Sequence, residues 1–244
     1  MQDWLRFAIP AADQALADPA NAAQWQCEGT WFLGLDALDN DAQGRIGLGP
    51  ALRGAAVNCA AATCGGLPPL HRGQLSVMRP GYPRPRAGES AAGFRYRAQR
   101  DAAHVDGLHA VGSERRRYLR EAHGFVLGIP LNEAGPDAAP LVVWEGSHEI
   151  MRAAFRSALQ AHDPARWAEV DLTETYVAAR KACFDACRRV PVRVPLGGAF
   201  VLHRLALHGV APWTEPDNHP GAERRIAYFR PELPGGFPDW LNLP

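Results

Sequence analysis

The sequence predicts a mainly β fold with flanking helices, and three observations carry that expectation. After Gly65-Gly66-Leu67-Pro68-Pro69 the chain breaks into short apolar segments punctuated by Gly and Pro. Two of these segments, residues 124–131 and 140–144, have the length of sheet-core strands. Helical spacing is confined to the N-terminal third and to one stretch between strands. A chain of 244 residues is long enough for one substantial core, so a single domain over 1–244 is expected. Within it, 1–66 form a helical part and 70–230 the core, with a helical insertion at about 150–187.

Residues 13–23 are alanine-rich, and residues 25–38 mix aromatic and acidic side chains at loosely helical spacing, so helices are expected in both. Gln74-Leu75-Ser76-Val77-Met78 alternates as a half-buried strand and stops at Arg79-Pro80-Gly81-Tyr82-Pro83, where proline bars ladder pairing. Phe94-Arg95-Tyr96-Arg97 alternates again and reads as a strand. A turn carrying Asn132, Gly135, Pro136 and Asp137 separates the two apolar runs. Residues 150–161 and 173–186 read as helices, and 190–194, 199–207 and 225–230 complete the strands. Many short strands with few helices point to a double-stranded β-helix, the jelly-roll or cupin-like double sheet.

The 26 basic and 26 acidic residues cancel, so no global field steers the chain towards nucleic acid or a membrane surface. Lys181 is the one lysine, so an anion that needs a fixed cation must look to arginine. The start, Met1-Gln2-Asp3-Trp4-Leu5-Arg6, has no basic run followed by an apolar stretch, and no segment approaches the ~20 apolar residues of a membrane span. A cytoplasmic enzyme is expected. The 5 cysteines match no zinc spacing with nearby histidines and read as small buried residues.

Three constellations carry chemistry. In His104-Val105-Asp106, side chains at i and i+2 of an extended segment face the same way, so imidazole and carboxylate can converge. Two histidines and one carboxylate form the facial set that holds non-haem Fe(II) with positions left open. The second imidazole is sought in the apolar run 197–209, read as a long strand ending in His208-Gly209. His203 and His208 fall on opposite faces of such a strand, and His208, at its end, is the candidate ligand while His203 packs. The third is Arg224-Arg225-Ile226-Ala227: a dicarboxylate chelating iron by its keto-acid end would bury its far carboxylate, and a bidentate arginine is its natural partner. His148, His109 and the run Arg115-Arg116-Arg117 with Arg120 read as turn, loop and solvated surface.

His104-x-Asp106, Trp144-Glu145-Gly146-Ser147-His148, Leu207-His208-Gly209 and Arg225-x-Ala227, in that order over about 70–230, resemble the phytanoyl-CoA dioxygenase family. That family usually has proline where Glu145 stands, and often serine or threonine where Val210 stands. The resemblance implies that His104, Asp106 and His208 hold Fe(II) and that Arg225 binds the far carboxylate of 2-oxoglutarate. The spacing from His208 to Arg225 is longer than usual, through an apparent inserted loop at 213–221, which leaves Arg224 a rival. It further implies a 2-oxoglutarate- and O2-dependent dioxygenase that releases succinate and CO2 while hydroxylating a small-molecule substrate. The alternatives are a cupin-like metal oxygenase that uses no keto acid, and a catalytically inactive small-molecule-binding barrel.

Overall fold

The structure is a computed structural model and describes residues 1–216 and 221–244. Its helices are α1 (Gln2–Ala17), α2 (Ala55–Thr63), α3 (Ala91–Gln99), α4 (Ser147–Leu159), α5 (Thr173–Ala186) and α6 (Gly236–Asn242). Its strands are β1 (Trp25–Gln26), β2 (Trp31–Leu38), β3 (Gly73–Met78), β4 (Leu108–Val111), β5 (Arg116–Leu119), β6 (Phe125–Pro130), β7 (Leu141–Trp144), β8 (Arg189–Val192), β9 (Phe200–His203), β10 (His208–Val210) and β11 (Arg224–Phe229). A six-stranded sheet runs β1-β2-β3-β11-β6-β9, a three-stranded sheet runs β10-β7-β8, and β4 and β5 form a separate hairpin. None of the helices among the described residues is long and apolar enough to cross a membrane.

Strand alternation sorts the side chains into layers. Val126, Leu141, Leu202, Ile226 and Tyr228, drawn from both sheets, pack together, so the two sheets face each other. On the other face of the large sheet, Leu75, Val77, Leu127, Ile129, Ala227 and Phe229 meet Trp4, Leu5, Ala8 and Ala12 of α1. Val142 and Trp144 of the small sheet turn outward onto Met151 and Phe155 of α4 and Tyr176 of α5. The two facing sheets thus form the middle of the fold, with helices on both outsides.

The structure corrects four local expectations. Residues 25–38 are strands, not a helix. Trp31, Leu33 and Leu35 line a cavity while Phe32 and Gly34 pair with β3 on the covered face. Apolar residues on both faces hide the period of two. The stretch from residue 13 is the end of α1, which stops at Ala17 because Asp18-Pro19 opens a 3-10 turn with the Asp18 carboxylate accepting from Ala20 N at 2.9 Å. Phe94-Arg95-Tyr96-Arg97 lies in α3, started by Ser90, whose Oγ accepts from Gly93 N at 3.1 Å. Finally, residues 199–207 are not one strand. β9 ends at His203, Ala206 N closes a turn on His203 O at 2.8 Å, and the chain crosses to β10 in the other sheet. At that crossing Arg204 is buried, donating to the carbonyls of Trp240, Asp239, Leu243 and Pro244. Part of the inserted loop, 217–220, lies outside the described residues.

Candidate metal centre

His104 and His208 are brought together by their own backbones. His104 N donates to His208 O at 2.8 Å, and His208 N returns the bond to His104 O at 3.0 Å. Val105 is buried between His104 and Asp106, so the extended segment presents the imidazole and the carboxylate on the same side. The segment before His208 is anchored by β7 and its turn: Leu207 N donates to Ser147 Oγ at 2.8 Å, and Trp144 N to Leu207 O at 3.0 Å. The Trp144–His148 motif therefore serves as a clamp on the His208 strand.

The outcome is one cluster, His104, Asp106 and His208, with one ligand atom from each lying within 4.8 Å of the others. Asp106 Oδ1 is 3.3 Å from His104 Nε2, and Oδ2 is 3.8 Å from His208 Nε2. Each Nδ1 lies 2.9 Å from a carbonyl, Ala102 O for His104 and Ala206 O for His208. A carbonyl can only accept, so both Nδ1 atoms carry a proton, and in the neutral imidazole it is Nε2 that offers its lone pair towards the cluster. Burial pushes the His208 imidazole down to about 4 despite the adjacent carboxylate, which keeps it neutral and able to ligate. For Asp106 burial alone would raise the carboxyl, but the Arg230 guanidinium and the two imidazoles outweigh it and hold it well below the usual range.

The cluster opens onto a cavity of about 1060 Å³ whose walls include Trp31, Leu33, Leu70, Met78, Tyr82 and Leu233. The chain matches no family model, and no curated protein matches it. Among solved structures it is similar to AviO1 from Streptomyces viridochromogenes Tue57, at 19% identity over 96% of this chain and 87% of that one, with a TM-score of 0.46. It is similar to EctD from S. alaskensis with 2-oxoglutarate and 5-hydroxyectoine, at 17% identity over 94% of this chain and 67% of that one, TM-score 0.40. It is also similar to SnoK, a non-heme alpha ketoglutarate dependent carbocyclase from nogalamycin biosynthesis, at 16% identity over 71% of this chain and 56% of that one, TM-score 0.37. The chain thus spans 56% of SnoK's length. At these scores the chemistry of the site rests on its own side chains.

Arg225 does not reach the cavity. It pairs in register with Val77, whose side chain lies under α1, and its guanidinium is ion-paired with Asp13 of that helix and with Glu223. The expected inward position is corrected by one residue: Arg224, Ile226, Tyr228 and Arg230 share the other face. Arg224 pairs in register with Met78, a wall of the main cavity, and lines a smaller void of about 290 Å³ beside it. Its Nε donates to Ala138 O at 3.1 Å. Its Nη2 is buried without a partner, and it forms no ion pair among the described residues.

Several cavity residues were not singled out from the sequence, among them His71, Gln74, Glu121, His123 and Arg230. Arg230 donates from Nε to Asp106 Oδ2 at 2.7 Å. Its signal was the period of two from Arg224, which stops only after Arg230. His109 also lines the cavity, its Nε2 3.1 Å from Glu121 Oε2.

Gly209 offers a test of how the two histidine segments are held. A Cβ there would meet Asp101 O at 2.1 Å, an oxygen that already accepts from Val210 N at 2.8 Å. Asp101 cannot retreat freely, because Arg189 holds its carboxylate at 2.7 and 2.9 Å. Gly209→Ala is expected to destabilise the protein by about 1–3 kcal/mol, the scale of overpacking. Divalent-metal affinity should fall as His104 and His208 are pushed apart. Urea unfolding and metal titration on the same variant measure both.

His203 faces away from the cluster, stacked on His148 at 4.8 Å with Arg152 Nη2 2.7 Å from its Nε2. Burial first, then Arg204, His148 and Arg152, push it down to about 3 from an ordinary 6.5. Below that ordinary value the unfolded chain binds a proton that the folded one refuses, so stability declines as pH falls and levels off once the folded group titrates. His203→Asn is expected to remove up to about one proton from the slope of unfolding free energy against pH on the acid side. Urea midpoints at stepped pH values are the measurement, and an unchanged slope would count against it.

Proposed function

We propose that the chain is a single-domain, non-haem Fe(II)- and 2-oxoglutarate-dependent dioxygenase. In this reading its double sheet is a jelly-roll of the phytanoyl-CoA dioxygenase-like kind, and it hydroxylates a small molecule with release of succinate and CO2. The observation that carries the reading is the convergence of two lone-pair-bearing Nε2 atoms and one ionised carboxylate at the wall of a large cavity. This donor set fits Fe(II), whose two-histidine, one-carboxylate site leaves positions open for co-substrate and O2. When bound, the iron would supply the oxidising chemistry that couples decarboxylation of the keto acid to attack on a substrate C–H bond.

The chain's own residues supply the rest. The Nδ1 carbonyl bonds orient His104 and His208 with Nε2 towards the cluster, burial keeps His208 neutral, and Asp106 brings the compensating charge. Arg224 supports the keto-acid reading over a metal oxygenase without one. A buried guanidinium with no counter-charge among the described residues is costly, and the far carboxylate of a dicarboxylate would satisfy it. The apolar walls would limit water at the reacting centre.

The test is anaerobic addition of Fe(II) and then 2-oxoglutarate, watched for the weak visible charge-transfer band of the chelated keto acid. Its appearance is the expected result. Iron binding without the band would favour the oxygenase that needs no keto acid, and no iron binding would favour the inactive barrel.

A further inference from the structure

We propose that Arg230 is the positioning residue for Asp106, holding one carboxylate oxygen so that only the other is presented to the metal. The inference rests on the reading of His104, Asp106 and His208 as the ligand set. Arg230 follows directly on β11, which is paired on both sides by β3 and β6, so its backbone is fixed. Its N–H donates to His71 Nε2 at 2.8 Å, and His71 Nδ1 is bonded to Arg72 O, which sets the tautomer that lets Nε2 accept. Nη1 donates to Gln74 Oε1, and the guanidinium carbon lies 5.0 Å from the centre of the Tyr228 ring. These contacts do not involve Asp106, so the guanidinium is oriented before any metal arrives.

A carboxylate can ligate through one oxygen or both. The bond from Arg230 Nε occupies a lone pair of Oδ2 and opposes rotation of the group, leaving Oδ1, the oxygen nearer His104, for the metal. With a single oxygen from Asp106, three positions stay open. A second oxygen would take one of those that co-substrate and O2 need.

Two effects of opposite sign compete when Arg230 is removed. A cation beside a metal site repels a dication, so charge alone predicts tighter metal binding without it. Loss of positioning predicts weaker binding, and partners of metal ligands typically contribute roughly ten- to a hundredfold in affinity. The sign of the change therefore decides between them.

The experiment is anaerobic titration of the full chain with cobalt(II), read by its visible d–d spectrum, for wild type, Arg230→Leu, Arg230→Gln and Gln74→Leu. Arg230→Leu is expected to weaken cobalt binding roughly ten- to a hundredfold and to alter the band. Arg230→Gln, which keeps a donor without the charge, should recover part of the affinity and the wild-type band. Gln74→Leu leaves the arginine in place but unanchored, and should shift affinity the same way by less, which keeps the test decisive if Arg230→Leu fails to fold. Unchanged or tighter binding in Arg230→Leu with an unaltered band, or in a folded Gln74→Leu should Arg230→Leu not fold, overturns the positioning role. A wild-type protein that binds no cobalt would instead overturn the ligand set on which the role rests.

Discussion

Asp106→Asn is expected to reduce iron-dependent consumption of 2-oxoglutarate to the background rate while leaving a folded protein. The substitution keeps the shape of the side chain and removes the one anionic ligand, so two neutral imidazoles would face a dication without compensation. Since partners of ligands alone contribute roughly ten- to a hundredfold, loss of a ligand's charge should weaken metal binding by more than about a hundredfold. The fold should lose less. Arg230 exchanges an ion pair for a hydrogen bond from its guanidinium to a neutral amide oxygen at a part-exposed site, about 1–3 kcal/mol. Metal content and succinate formation measure the first effect and urea unfolding the second. Retained turnover in folded, iron-loaded Asp106→Asn would remove Asp106 from the ligand set.

The second large effect is expected at Arg224. Arg224→Gln should weaken anaerobic 2-oxoglutarate binding by about 1.5–3 kcal/mol, roughly ten- to a hundredfold or more, the scale of a hydrogen bond to a charged group. Metal affinity should change little. The apoprotein should be no less stable and could gain, because the variant removes a buried cation that has no counter-charge among the described residues. Arg225→Gln should show the opposite pattern. Its ion pairs with Asp13 and Glu223 tie α1 to the end of β11, so stability falls modestly and co-substrate binding stays within about twofold. The dissociation constant for 2-oxoglutarate, measured for both variants beside their thermal midpoints, separates the two. A loss of co-substrate affinity confined to Arg225→Gln would return the clamp to the position that the family resemblance implies.

The contrast between these neighbouring arginines marks where sequence reasoning stops. Strand β11 was legible as a strand, but its face was not. Arg224-Arg225-Ile226-Ala227-Tyr228-Phe229 offers apolar residues to both sides, because one side packs against the small sheet and the other against α1. A period of two reveals a face only when one side is polar, and a slip of one residue exchanges every side chain. The same double burial concealed β2, and a short alternation in Phe94-Arg95-Tyr96-Arg97 mimicked a strand where Ser90 starts a helix.

The sequence by itself determined the local terms of the site: an imidazole and a carboxylate two residues apart in an extended segment, a His-Gly whose glycine lets backbones approach, and strand lengths that call for a mostly β core. Those properties depend on neighbours along the chain, where covalent geometry sets direction. Only the tertiary structure decided that His104 and His208 bridge each other, that β9 and β10 belong to different sheets, and that Arg224 and Arg230 rather than Arg225 face inward. Each of these depends on which strand lies beside which, and that is set by burial of apolar faces between segments far apart in sequence.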